Sequence, residues 1–160
     1  MAVMTTCLWF DDQAEQAAEF YLSVFPNSAI TGLTRQGPGG HGEPGQVVTV
    51  TFDLDGHPFM GLNGGPMFSF SEAISFQIPC ADQAEIDRFW AALTADGGQE
   101  GRCGWLKDRF GVSWQVIPAD IGELLGGEPA AAGRATAAMM TMGKFDVAAL
   151  RAAREEPAVV

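Results

Sequence analysis

The chain has 160 residues, of which 47% are hydrophobic and 18% are charged. A chain of this length forms one ordinary domain or two small modules, and its apolar content is high enough to bury a core. Nine basic and twenty acidic residues give a formal net charge of −11. Nucleic acid and anionic membranes are therefore not expected partners, because an acidic surface repels their phosphates.

The cysteines and the N-terminal residues predict the compartment. No stretch approaches the roughly 18 apolar residues that a membrane span needs. Residues 1–10 show neither a basic region nor a long apolar run, so no secretory signal is expected. Cys7, Cys80 and Cys103 form a sparse, odd set that is typical of reduced proteins. These features predict a soluble, cytoplasmic protein.

An internal repeat organises the chain. Residues 12–15 (DQAE) recur as residues 82–85. In each copy the aspartate can accept bonds from first-turn amides, and the glutamate three residues later completes a capping box. Each copy opens an apolar stripe at helical spacing, with Ala17, Phe20, Tyr21 and Val24 matched by Ile86, Phe89, Trp90 and Leu93. Pro26-Asn27 and Gly97-Gly98 end the two predicted helices.

Strand patterns follow each predicted helix. Residues 47–54 alternate between apolar and polar positions, and Asp55-Gly56 predicts a hairpin turn that returns the chain through residues 58–62. In the second half, residues 104–108 lead to Gly111, and residues 112–117 alternate until Pro118. The glycine- and proline-rich segment 36–46 lengthens the first half. The chain therefore reads as strand, helix and strands, twice.

The C-terminal residues predict a helical tail. After a linker at residues 126–129, residues 130–142 and 146–156 are rich in alanine and favour helix. The tail also carries apolar side chains that should not be left in water. We expect it to pack on the body or on a partner through Met139, Met140, Met142 and Phe145.

Three stretches carry a family resemblance, namely residues 20–26, 52–65 and 104–118. They resemble the PhnB-like family, which is labelled 3-demethylubiquinone-9 3-methyltransferase-like and belongs to the vicinal oxygen chelate superfamily of glyoxalases, extradiol dioxygenases and bleomycin-resistance proteins. The resemblance covers nearly the whole chain, tail included. It implies an α+β fold of two βαβββ modules with cupped mixed sheets and a C-terminal helical extension. The expected boundaries are 3–66 and 72–125 for the modules and 129–156 for the tail.

The resemblance also implies which strand faces carry the site. Superfamily modules place helices on the convex side of the sheet and the site on the concave side. Ile74, Phe76 and Ile78 would then face the helix, and Ser75 and Gln77 would face the cup, because neighbours on a strand point to opposite faces.

The resemblance also implies a metal site, but the corresponding positions of this chain do not hold the usual ligand residues. The last-strand ligand is typically a glutamate four residues after the turn glycine. The corresponding residues are Met60, counted from Gly56, and Gln115, counted from Gly111. On the first strands the candidates are Leu8 or Trp9, and Ser75 or Gln77. None is His, Asp or Glu, so we expect no metal and no metal-dependent glyoxalase or dioxygenase chemistry.

Other candidate groups favour structural interpretations. His41 and His57 fall in predicted loops and turns, and Glu43, Glu72 and Asp108 read as solvated surface carboxylates. Cys80 precedes a predicted helix, where a thiol can be activated. Without a neighbouring histidine, a small buried residue is the better interpretation, and the same holds for Cys7 and Cys103. The glycine cluster at 37–42 contains a proline and precedes strand residues, so it reads as a mobile loop rather than a methyltransferase cofactor loop.

Aromatic and polar residues remain as candidates for a ligand pocket. Trp114 should point to the helix side, because it neighbours Gln115. Trp9 and Trp105 are better placed to line a pocket. Lys107 shares a face with Trp105, so it could steer an anionic ligand or simply be an exposed lysine. The complete candidate set is Trp9, Met60, Ser75, Gln77, Trp105, Lys107 and Gln115.

Two classes of function remain open. The first is a metal-free, cofactor-free protein that encloses a small, partly aromatic molecule, as resistance proteins of this superfamily do. The second is an enzyme acting on a small organic substrate, related to the glyoxalases and dioxygenases or to the methyltransferase of the family label. No acid–base pair is visible among the cup residues, which favours binding. A strongly perturbed carboxyl pKa near Gln115 would favour catalysis. The apolar tail predicts a homodimer.

Overall fold

The computed structural model describes residues 4–39 and 42–155. These residues form two compact units that meet in sequence between Phe70 and Ser71. His41 and the predicted limits at residues 3 and 156 lie outside the described residues. In each unit the chain forms a strand, a helix and three further strands. The α+β fold of two βαβββ modules is therefore confirmed.

The first unit contains one helix and a four-stranded mixed sheet. Its strand order is β1-β4-β3-β2, and β1 is parallel to β4 while the other pairs are antiparallel. The elements are β1 (Thr6–Phe10), α1 (Ala14–Val24), β2 (Ala29–Arg35), β3 (Val47–Leu54) and β4 (His57–Asn63).

The second unit repeats this plan and adds the tail. Its strand order is β5-β8-β7-β6, with β5 parallel to β8. The elements are β5 (Phe76–Cys80), α2 (Gln83–Thr94), a 3₁₀ turn (Ala95–Gly97), β6 (Gln99–Glu100), β7 (Trp105–Lys107), β8 (Ser113–Pro118), α3 (Ile121–Leu124), α4 (Pro129–Met139) and α5 (Val147–Glu155).

Strand alternation divides each sheet into two faces. In β3, Val50, Phe52 and Leu54 are buried, and the Phe52 ring stacks on Tyr21 of α1 with 6.1 Å between the ring centroids. In β8 the buried residues Trp114 and Val116 lie on the corresponding face. The helix therefore covers one face of each sheet, and we call the opposite face the open face of that unit.

The predicted hairpin of the first unit is confirmed. Asp55 and Gly56 both have positive φ, at 49° and 87°, as a type I′ turn requires. The Asp53 carboxylate accepts a hydrogen bond from the Gly56 amide at 2.6 Å. A glycine at the second position avoids the strain that a side chain would bring at this φ.

The glycine-rich segment connects β2 and β3. At its base the Gln36 amide donates to the Gln46 carbonyl at 2.7 Å, and the Gly45 amide donates to the Gln36 carbonyl at 2.9 Å. Because β2 and β3 are antiparallel neighbours, the segment closes a long hairpin.

The two repeated helix starts differ. At α2, Asp82 accepts from the Glu85 amide at 2.9 Å and Glu85 accepts from the Ala81 amide at 2.8 Å, so the capping box is confirmed. At α1 the N-cap is Gln13, and its side chain makes no capping bond. The expectation for Asp12 is therefore wrong, because Asn63 of β4 reaches the first turn instead and accepts from the Ala14 amide at 2.9 Å.

The tail packs on the second unit. Backbone hydrogen bonds join Cys103 to Met142 and Gly104 to Gly143, at 2.9 and 2.8 Å. The Gln83 side chain donates to the Phe145 carbonyl and accepts from the Val147 amide, both at 2.9 Å. Phe145 and Leu150 are fully buried. Of the four tail residues expected to pack on the body or on a partner, Phe145 is buried in the body, Met139 and Met142 are half-buried, and Met140 is 56% exposed.

Among the described residues, no helix combines the length and the apolar character that a span of the bilayer requires.

The unequal helix starts generate a prediction. Asp82→Ala should lower the free energy of unfolding by about 1 kcal/mol, the usual contribution of an N-cap side chain. Asp12→Ala, the matched variant in the first copy, should change it by less than about 0.5 kcal/mol because no cap is lost. Urea denaturation of both variants measures the difference. Equal losses at the two positions would contradict the asymmetry.

Candidate functional site

A buried carboxylate sets the orientation of β8. Asp108 is only 2% exposed, and it accepts bonds from the Phe110 and Val112 amides at 2.8 and 3.1 Å and from the Trp114 indole at 2.8 Å. The expectation of a solvated Asp108 is wrong, because the tight turn before β8 turns its amides inward and needs an acceptor. Trp114 is thereby held on the helix side, as expected, and Gln115 lies on the open face.

Three candidate residues form a hydrogen-bonded ladder on this open face. Gln77 and Gln115 are direct partners on the parallel strands β5 and β8. The Gln77 Nε2 donates to the Gln115 Oε1 at 3.3 Å, and the Gln115 Nε2 donates to the Ser75 Oγ at 2.8 Å. Gln115 also pairs in register with Trp105 of β7. The ladder therefore places amide and hydroxyl groups beside an indole ring.

One residue that was expected on a strand departs from the expected alternation. Ile74 was expected to face the helix together with Phe76 and Ile78. Ile78 is buried, but Ile74 is 73% exposed. The reason is that β5 begins only at Phe76, so Ile74 belongs to the preceding bend and its side chain is not held by the sheet.

Lys107 lies on the same face and forms an ion pair there. Its ammonium is 2.6 Å from the Glu72 carboxylate, and both residues line a cavity of about 140 Å³. The hydrogen bond from Lys107 lowers the pKa of Glu72 below its ordinary value of 4.5. Lys107 is thus paired with a carboxylate rather than exposed as a single cation. The remaining residues of the lining are Gln99, Glu100, Gly101, Trp105, Leu106 and Ser113.

The two candidates of the first unit lie on neighbouring strands. Trp9 is half-buried, and its indole donates to the Gly65 carbonyl at 2.8 Å while its ring meets Phe68 edge-on at 5.0 Å. A side chain at Gly64 would collide with the Trp9 ring. The chain after β4 therefore already engages this indole, which makes it less available to a ligand than Trp105.

Met60 lies on the open face of the first unit. It is half-buried and stands in register between Cys7 of β1 and Thr51 of β3. Cys7 was expected to be buried but is exposed. The alternation of β1 explains this difference, because Leu8 and Phe10 take the helix face and Cys7 must point the other way.

A larger cavity in the first unit contains none of the candidate residues. It measures about 690 Å³ and is lined mainly by charged and amide side chains, among them Asp11, Asp12 and Glu15. Its Arg35 pairs with Glu15 at 3.6 Å. Among the described residues its lining includes no aromatic side chain, so we place the candidate site on the open face of the second unit.

The donor set on this face does not fit a divalent metal. Gln77, Gln115 and Ser75 offer neutral oxygens, and the ladder already engages the Gln115 carbonyl. Hard cations are held by several carboxylates, and zinc by imidazole, thiolate or carboxylate. Over residues 4–39 and 42–155, no three His, Cys, Asp or Glu side chains form a group that could hold a metal.

The glycine-rich segment does not fit a methyl-donor cofactor either. Nucleotide-type cofactors bind where a glycine loop leads from a strand into a helix, whose N-terminus faces the phosphate or carboxylate. Segment 36–46 leads instead from β2 into the antiparallel strand β3.

Cys80 shows no sign of nucleophilic activation. It is 1% exposed, and burial, assisted by the charge of Glu85, raises its pKa to about 12. The thiolate is the reactive form of cysteine, so a thiol held neutral in this way serves packing. The expectation of a small buried residue is confirmed.

Comparison with solved structures identifies the fold. A structure of the fosfomycin resistance protein FosX from Listeria monocytogenes, complexed with Mn(II) and sulfate, matches with a TM-score of 0.52 at 14% identity, covering 76% of this chain and 93% of that one. Protein PA1353 from Pseudomonas aeruginosa matches with a TM-score of 0.61 at 17% identity, covering 74% and 98%. At such identities the likeness shows the fold alone, which is the vicinal oxygen chelate fold.

The family follows from closer matches. Residues 2–117 match the family described as 3-demethylubiquinone-9 3-methyltransferase. The PhnB protein from Bacillus cereus is 34% identical, with a TM-score of 0.67, and the match covers 74% of this chain and all of that one. The chain belongs to this PhnB-like family. The family match ends before α3, so it covers less than the expected whole chain and leaves out the tail.

No curated protein matches this chain.

Three residues that line or support the site were absent from the predicted site residues, and two of them, Glu72 and Asp108, were expected to be solvated. Ser113 shares the parity of Gln115 on β8 and could have been placed on the open face by that rule. The pairing of Glu72 with Lys107 depends on the bend before β5, which no local pattern indicated. The burial of Asp108 was signalled only by the tight turn that follows it.

The Lys107–Glu72 pair predicts a pH dependence. Because the pKa of Glu72 is lowered in the folded protein, the pair should persist below pH 4.5 and be lost as the pH falls through the lowered midpoint. Lys107→Met should move the Glu72 midpoint back towards 4.5, as followed by carboxyl-carbon NMR. Lys144→Met, which removes the partner of Asp87, should leave that midpoint unchanged. A Glu72 midpoint that does not respond to Lys107→Met would contradict the pairing.

Proposed function

We propose that the chain binds a small organic molecule on the open face of its second unit and that it does so without a metal or cofactor. The observation that carries this proposal is the ladder of Gln77, Gln115 and Ser75 beside the Trp105 ring. Small-molecule sites commonly combine an aromatic or apolar wall with a few positioned polar groups.

The ladder retains hydrogen-bonding capacity for a ligand. A side-chain amide has two N–H donors and a carbonyl with two lone pairs. The Gln77–Gln115 and Gln115–Ser75 bonds use one donor of each amide and one lone pair of the Gln115 carbonyl. The bonds also hold both side chains in place, which lowers the entropy that binding would cost.

The chemistry of the donors supports binding without a metal. Neutral amide and hydroxyl oxygens replace the charged ligands that a divalent ion needs. FosX with bound Mn(II) shares the fold but is only 14% identical, so its metal does not carry over to this chain.

An enzyme acting on a small organic substrate is the alternative. It would need a group that exchanges protons near neutral pH. Glu72 is the carboxyl that faces Lys107 in this cavity, and its pKa is lowered rather than raised. A carboxylate of this kind remains ionised and is a weak base, so the site favours binding over turnover.

A fragment screen tests the proposal. Ligand-induced shifts in ¹H–¹⁵N spectra, recorded with a chelator present, should locate small aromatic amides and alcohols at Trp105 and Gln115. Gln115→Leu should weaken these fragments about tenfold, since a hydrogen-bonding amide is lost. Gln13→Leu, an exposed glutamine of the first unit, should have no effect.

The same spectra separate the alternatives. Fragments that bind only after Mn(II), Ni(II) or Zn(II) is added would overturn the metal-free proposal. A bound compound that disappears with time while a product resonance grows would assign the chain to the enzyme class. Binding that Gln115→Leu leaves unchanged would place the site elsewhere.

We also propose that the chain forms a homodimer in a reduced, cytoplasmic environment. Exposed apolar residues support the association, namely Met67, Phe68, Ile74 and Met140. The three cysteines are free, as a reducing compartment would keep them. A monomer mass by light scattering at micromolar concentration would contradict the dimer.

A further inference from the structure

One buried hydroxyl in the second unit lacks a partner. Ser113 is 2% exposed, and its Oγ makes no hydrogen bond with any residue among those the structure describes. Buried polar groups are nearly always satisfied, because leaving one unpaired costs free energy. Ser113 also lines the cavity of about 140 Å³ that holds Trp105 and Lys107. The described residues therefore do not supply its hydrogen-bond partner, which leaves an occupant of that cavity to supply it.

The charged residues of the lining already have partners. Lys107 stands opposite Ser113 in the β7–β8 register, but its ammonium pairs with Glu72 at 2.6 Å. Glu100 lines the same cavity and accepts a hydrogen bond from the Trp90 indole at 2.8 Å. Ser113 is thus a buried polar residue of this lining whose hydroxyl has no partner among the described residues.

We propose that Ser113 anchors a subsite for a planar molecule, or part of one, that carries a single uncharged oxygen able to hydrogen-bond. This inference rests on the proposed function and specifies where the polar end of the ligand lies. The serine hydroxyl both donates and accepts, so an alcohol, a phenol or a ketone oxygen would satisfy it. The Trp105 ring supplies the apolar wall for the rest of the ligand.

Charge and volume define the ligand class. The cavity lining contains two carboxylates, Glu72 and Glu100, and one ammonium, Lys107. Its net negative charge disfavours an anion, and the net charge of −11 on the chain adds to that effect. A volume of about 140 Å³ corresponds to roughly four or five liquid waters. The subsite therefore suits one neutral six-membered ring.

A matched pair of probes tests this subsite. Phenol and toluene differ by the one hydroxyl that Ser113 would bond. In the full chain, phenol should bind about tenfold more tightly than toluene, as followed by the Trp105 indole resonance; a tenfold ratio corresponds to about 1.4 kcal/mol. Ser113→Ala should remove this difference, whereas Ser23→Ala, an exposed serine of α1, should preserve it. Benzoate should bind more weakly than phenol.

The stability of the free protein provides a second readout. Ser113→Ala removes a hydroxyl that has no protein partner, so the unliganded variant should unfold at the same or a higher temperature. A lower unfolding temperature together with an unchanged phenol-to-toluene ratio would show a hydroxyl bonded to structural water and would overturn the subsite. Tighter binding of benzoate than of phenol, or no saturable phenol shift, would also overturn it.

The outcomes separate this inference from the function on which it rests. If Gln115→Leu weakens screened fragments while Ser113→Ala leaves the phenol-to-toluene ratio unchanged, the ligand-binding function stands and the Ser113 subsite fails. If Gln115→Leu has no effect on any fragment, the proposed function itself fails.

Discussion

The bond between the Asp108 carboxylate and the Trp114 indole determines which side chains of β8 face solvent or ligand. Asp108 is buried and also accepts two amides of the turn before the strand. With Trp114 held against α2, alternation leaves Ser113 and Gln115 on the open face. A one-residue slip would exchange the two sets and put glutamine into the core. The polar character of the site therefore depends on a carboxylate that never touches it.

The two units share a strand order but differ in the side chains at corresponding positions. Both units order their strands in the same way, yet the positions four residues after the turn glycines hold Met60 in one unit and Gln115 in the other. Met60 lies beside Cys7 and Thr51, whereas Gln115 bonds to Ser75 and is bonded by Gln77. Local differences also appear at the helix starts, where Asp82 caps α2 but Asn63 takes the corresponding role for α1.

Periodic patterns predicted the fold, because a helix stripe or an alternating strand is a local property that the core then enforces. The Asp55-Gly56 turn, the stripe of α2 and the helix-side position of Trp114 all followed from such patterns. Single polar residues were harder to place, since their environments depend on contacts distant in sequence or on tight turns. Asn63 acts on a helix 49 residues away, Glu72 meets Lys107 from a bend, and Asp108 is buried by its own turn. For the ladder, strand parity predicted that Ser75, Gln77 and Gln115 share one face, but it could not predict the hydrogen bonds between them.

The proposed function requires that the amide and hydroxyl side chains of Gln77, Gln115 and Ser75 bind a ligand without a metal. Isothermal titration of chelator-treated protein with Mn(II), Ni(II) and Zn(II), joined to elemental analysis of the freshly purified chain, tests it most directly. The account predicts sub-stoichiometric metal in the purified protein and no saturable heat from any of the three ions. One tightly held ion per chain that is lost in Gln115→Leu would contradict it.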